Sequence, residues 1–160
     1  MGISPYLECI SKQEDLVLTV DSSLVINSDP SDFRIEKVKY PFYWVDPNFR
    51  DWDLDEYRWI ESTTHVAVYR ATSGILTLDQ IFNNLENDVV SQRDIIEFCI
   101  KYPEWLGQGE ILTYFLIEEN NQFFMPNLGV YSFGTRVRLK KYPSNQVVDM
   151  KKIRVVLPLR

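Results

Sequence analysis

The chain has 160 residues, 45% hydrophobic, 25% charged and 14% aromatic, which fits one domain burying about 70% of its unfolded surface. That composition excludes extensive disorder, and no apolar run is long enough to cross a bilayer. The net charge is −6, but it is unevenly placed: residues 1–133 carry 9 Lys/Arg against 22 Asp/Glu, and residues 134–160 carry 8 Lys/Arg against Asp149 alone. Such sorting marks either a surface that meets a charged partner or two halves that neutralise each other in the fold.

In chain order, Met1–Tyr6 lacks the basic region and apolar run of a secretory signal. Tyr6 stands where a myristoylation motif has Ser or Thr. Cys9 and Cys99 have neither metal nor redox spacing, so they read as reduced thiols and the expected location is cytoplasmic. Residues 15–20 form an apolar strand-like run, followed by the turn-forming stretch 27–32. Weak alternation over 33–40 predicts a further strand, and 65–70 a clearer one.

Two helices are expected next. Thr77 and Gln80 make a capping-box pattern, after which Leu78, Ile81, Phe82 and Leu85 share one helical face. A second start at Ser91–Asp94 precedes Ile95, Phe98, Cys99 and Tyr102 at the same spacing, with Pro103 as the stop. From Glu110 the pattern turns to β. Residues 111–117 are apolar on both faces, as in a central strand, and 119–122 predict a hairpin connection. Pro126 is expected to interrupt pairing and leave 127–129 as a bulge or loop before a strand at 130–133. Val137 and Leu139 alternate with Arg136, Arg138 and Lys140, and 153–157 form a last strand. The expected fold is α+β: residues 1–160 as one domain, with a single antiparallel sheet of five or six strands and a two-helix layer on one face.

For function, the densest segment is 40–59, which holds eight of the 22 aromatic residues interleaved with Asp46, Asp51, Asp53, Asp55 and Glu56. Aromatic rings dominate binding hot spots. Tyr43, Trp44, Trp52, Asp53, Asp55 and Trp59 are therefore the candidate partner-binding residues of an aromatic and acidic surface. The competing role for these rings is core packing. Asp51, Asp53 and Asp55 repeat the first ligands of a calcium loop, but Glu56 stands where its glycine belongs and Ser62 where its bidentate glutamate belongs. No metal or cofactor is expected.

His65 is the only histidine, and adjacency to Ser62, Thr63 and Thr64 does not supply a catalytic relay. Cys99 on an apolar helix face is expected to be inert. A hydrolase using an unrecognised carboxylate pair stays open, since the sequence selects no pair. The helix pair and hairpin are laid out like a winged helix-turn-helix, but residues 77–106 carry a net −4 that a phosphate backbone would repel. Arg136, Arg138 and Lys140, with Lys152 near them in sequence and Tyr131, Phe133 and Tyr142 as stacking rings, form the nucleic-acid alternative. Solvated edge cations are the plainer role for that run. The expected function is a non-catalytic macromolecular binding protein, an acidic inhibitor or immunity-type protein with a protein partner. Nucleic-acid backbone binding is the alternative, no membrane contact is expected, and a homodimer interface through the aromatic stretch is a further possibility.

Overall fold

The computed structural model describes residues 3–27, 41–56, 58–72 and 76–159. The strand expected at 33–40, most of the turn at 27–32, and Tyr40 and Tyr57 of the aromatic segment lie outside them. In chain order come β1 (Leu7–Cys9), β2 (Leu16–Ser22), β3 (Phe42–Val45), the one-turn helix α1 (Asn48–Asp51), β4 (Ile60–Ala71) and β5 (Leu76–Thr77). Helices α2 (Leu78–Ile81), α3 (Leu85–Asp88) and α4 (Gln92–Lys101) follow. The chain then forms β6 (Leu112–Tyr114), β7 (Ile117–Glu119), β8 (Gln122–Tyr131), β9 (Gly134–Lys141), β10 (Val147–Val148) and β11 (Ile153–Pro158).

Among the described residues nine strands build one mostly antiparallel sheet in the order β1-β4-β11-β6-β8-β9-β3, with β2 also on β4 and β7 also on β8. β1 and β2 lie end to end along β4, and β6 and β7 do the same along β8. The sheet is thus seven positions wide, larger than the five or six strands expected. It is also not wholly antiparallel: β11–β6 and β3–β9 are parallel. β5 and β10 pair separately.

The helices do not form one layer. Residues alternate faces along a strand, and Val66 and Val68 of β4 pack in one cluster with Ile95, Phe98 and Cys99 of α4. Ala67 and Tyr69, facing the other way, pack in a second cluster with Leu78 and Ile81 of α2. Helices therefore cover opposite faces of the sheet, and the interior strand β11 is buried on both along the apolar run Val155–Leu157.

Nor is the helix expected from Leu78 to Leu85 continuous. It stops at Phe82, which is extended at φ −104°, ψ 118°. Asn84 caps a new turn, its N–H donating to Asp88 Oδ2 at 3.0 Å. Short polar side chains such as the Asn83–Asn84 pair favour helix ends over interiors. Leu78, Ile81 and Phe82 are nevertheless buried, so the spacing located core residues while overstating the helix. In α4 the reciprocal cap is complete: Asp94 N–H donates to Ser91 Oγ at 3.0 Å and Ser91 N–H to Asp94 Oδ2 at 2.9 Å.

Pro126 does not interrupt β8. It sits in register opposite Leu139, and on its other side accepts from Phe115 N–H at 2.9 Å. Its N and O point to the same edge, so the missing N–H leaves one gap, opposite Phe115, between β6 and β7. The register of both with β8 is the same across that gap, so the proline divides the strand expected at 111–117 instead. The β7–β8 turn is as expected: Asn120 and Asn121 have φ 53° and 62°, the pair of positive values that a type I′ hairpin needs.

Candidate functional site

The aromatic and acidic segment is dispersed by the fold. Phe42, Val45, Phe49 and Leu54 are core residues. Asp46 is a clamp: its Oδ1 accepts from Asn48 N–H at 3.0 Å and its Oδ2 from Leu139 N–H at 3.1 Å, which fixes the end of β3 to β9. Trp52 is half-buried, stacked on Phe124 at 5.9 Å with Lys141 Nζ 4.5 Å from its ring centre. Asp53 occupies a left-handed turn at φ 58° and is exposed, while Asp55 is half-buried. Trp59 is 63% exposed just before β4 and makes no ring contact among the described residues. Of the six candidates, Tyr43 and Trp44 lie together on β3.

What the fold gathers instead is a set of rings at the β8–β9 turn. The β3–β9 register shifts between Phe42 and Trp44, so Tyr43 is the extra residue of a bulge, and bulges re-aim side chains. Its ring packs edge-on against Phe133, centroids 4.8 Å apart. Phe133 in turn lies parallel to Tyr131 at 6.0 Å. All three rings reach solvent, with Tyr43 43%, Tyr131 38% and Phe133 69% exposed. Two glycines seat Tyr43 and Tyr131. A Cβ on Gly134 would fall 2.7 Å from Tyr43 Cδ1, and one on Gly129 would fall 3.0 Å from Tyr131 Cε2. Gly134 also has φ +138°, which residues with a Cβ rarely adopt.

The cations continue from these rings. Directly opposite residues in a ladder share a face, and Tyr131, Gly129, Asn127 and Met125 of β8 oppose Gly134, Arg136, Arg138 and Lys140 of β9. The Tyr131 ring over Gly129 therefore adjoins Arg136, and the three basic side chains follow at about 6.8 Å intervals. Arg136 lies over the Trp44 ring at 4.8 Å, an arrangement that fixes a guanidinium without neutralising it. Lys140 Nζ donates to Gln146 Oε1. Arg138 is exposed and makes no ion pair among the described residues. Beside it Asn127, 1% exposed, keeps an unpartnered Nδ2 donor.

No protein-family model, curated protein or solved structure matches this chain.

Lys152 does not join the row. It pairs with Glu110 at 3.2 Å in the turn leading to β11, three strand positions from β9 and so about 14 Å away. Tyr142 packs against Phe123, and burial and the neighbouring Asp79 carboxylate push its phenol pKa up. Among groups suited to catalysis, His65 Nδ1 is 3.0 Å from Asp15 Oδ1 on an exposed strand face. No hydroxyl or thiol bonds to it among the described residues. Burial raises the Cys99 thiol pKa far above its ordinary value, which disfavours the reactive thiolate. Among the described residues the buried carboxylates are Asp88 and Asp94, and each accepts a backbone N–H at a helix start. No group of three or more His, Cys, Asp or Glu gathers to hold a metal among the described residues. No helix among them is long and apolar enough to cross a membrane.

Sequence reasoning named Tyr43, Trp44, Tyr131, Phe133 and Arg136 but assigned them to two separate sites. The signal that joins them is the pairing of Gly129 and Gly134 with exposed rings, which only the register reveals.

Proposed function

We propose that this is a non-catalytic macromolecular binding protein acting as one domain, and that its contact surface is the ring-and-cation face of β8, β9 and β3. A single-stranded nucleic acid is the ligand class this face fits best. The observation that carries the reading is the seating of Tyr131 and Tyr43 by Gly129 and Gly134, with Phe133 packed against both rings, in line with Arg136, Arg138 and Lys140. Flat rings held in place stack on bases of any identity, and cations at strand spacing follow a phosphate backbone. The net charge of −6 opposes approach from a distance, so binding would be modest and strongly dependent on salt. The two free thiols support a reducing, cytoplasmic setting.

The protein-partner reading keeps a specific support. Tyr, Trp, Phe and Arg are also the residues enriched in protein interfaces, and Trp59 offers a further exposed ring away from this face. Here the partner would be acidic where it meets β9.

Fluorescence anisotropy of a labelled oligothymidylate distinguishes them. Nucleic-acid binding predicts saturable association that weakens steeply from about 50 to about 200 mM salt. Arg138→Ala should then lower the slope of log affinity on log salt by about one. Absence of association at low salt would remove this reading, and capture of an acidic protein through Tyr43 and Phe133 would establish the other.

A further inference from the structure

A second charged locus lies at the opposite side of the sheet, where β1, β4 and β11 run together. The register places Glu8 opposite Arg70 and Arg70 opposite Arg154. Three charged side chains therefore stand abreast on one face, at the mouth of a cavity of about 450 Å³. Like charges directly across a ladder are destabilising, and Glu8 relieves only part of the conflict. Its Oε2 accepts from Arg70 Nε at 3.1 Å and Nη2 at 3.0 Å. Arg154 is anchored differently, its Nη1 donating to Trp105 O at 2.9 Å, a neutral acceptor that leaves its charge unopposed. Lys151 also lines the cavity and makes no ion pair among the described residues. Three cations thus face one carboxylate. Beside them the wall carries the part-exposed Ile10 and Ile111.

We propose that this cavity binds a small organic phosphomonoester, its phosphate held by Arg70, Arg154 and Lys151 and its organic part against Ile10 and Ile111. A dianion matches the excess of two positive charges, and guanidinium groups present paired donors to phosphate oxygens. The cavity lies in the size range of small-ligand sites, which combine apolar walls with a few placed polar groups. Burial already depresses the Arg154 pKa, as an uncompensated cation requires and a bound anion would reverse. The site shares no residue with the ring-and-cation face and stands or falls separately.

The test is calorimetric titration with inorganic phosphate and with phenyl phosphate at constant ionic strength. Both should bind at one site per chain, phenyl phosphate more tightly because its ring meets the isoleucines. Arg70→Gln and Lys151→Gln, both at exposed positions, should each weaken binding about tenfold, the scale of one charge-assisted hydrogen bond. Glu8→Gln should strengthen it by freeing Arg70, a gain that a merely structural role for these residues would not produce. Non-saturable heats, or phosphate affinity unchanged in both cation variants, would overturn the proposal. Phenyl phosphate binding no better than phosphate would overturn the organic part of it.

Discussion

Gly134 carries two separable constraints, a positive φ and the space its missing Cβ leaves for Tyr43. Gly134→Ala should lower stability by about 1–3 kcal/mol, measured by thermal or denaturant unfolding. Adding Tyr43→Ala should restore only the steric part, leaving the backbone cost. Gly129→Ala is a different case, because its new Cβ would meet the movable ring of Tyr131. It should change stability by less than about 1 kcal/mol while disturbing the ring platform. Asp94 gives a pH test. Its pKa is raised because burial outweighs the hydrogen bonds from Ser91. The folded chain therefore holds this proton to higher pH than the unfolded chain, whose ordinary carboxyl value is 3.8. Stability should fall as pH rises from that value through the raised folded one, then level off as far as this group is concerned. Asp94→Asn, which can still accept from Ser91, should gain stability relative to wild type across that window. A difference between the two that does not vary with pH would contradict the assignment.

Among the elements, β3 is held to β9 by its ladder and core residues, and one side chain, Asp46, ties its end. Asp46→Ala removes the acceptor for both Asn48 and Leu139 N–H and should cost about 1–3 kcal/mol. Loss of amide-exchange protection should concentrate at β3 and β9 if Asp46 acts as a clamp. What was legible at this scale was local. The Ser91–Asp94 cap, the Asn120–Asn121 turn and the alternation of Val137 and Leu139 with basic residues all depend on neighbours in sequence. What was hidden depends on distant partners. Gln92 and Arg93 look like solvated residues of a helix start, yet both are buried. Gln92 Oε1 accepts from Ile26 N–H at 2.8 Å and its Nε2 donates to Leu54 O at 2.7 Å, while Arg93 Nη1 donates to Leu24 O at 2.9 Å. No periodicity signals that a polar side chain will stitch two remote loops to a helix. The effect of Pro126 is hidden for a related reason: it depends on which neighbour its missing N–H faces.

For the molecule as a whole, the charge sorting along the chain does not become one basic surface. Arg136, Arg138 and Lys140 share a face of β9, whereas Lys151, Lys152 and Arg154 lie at the start of β11, three strand positions away. The basic tail thus divides between the ring-and-cation face and the β1–β4–β11 cavity. The acidic and aromatic segment is divided as well, between the core, the Asp46 clamp and Tyr43. Composition located the chemically unusual residues, and strand order determined which of them meet. The most direct test of the ring-and-cation face is the affinity of wild type and Phe133→Ala for a fluorescent oligothymidylate at low salt. Phe133 is 69% exposed, so its truncation should leave the fold intact. Binding should weaken by the about 1–3 kcal/mol of one base–ring stack, with unfolding unchanged. Equal affinity for the two proteins would contradict the account.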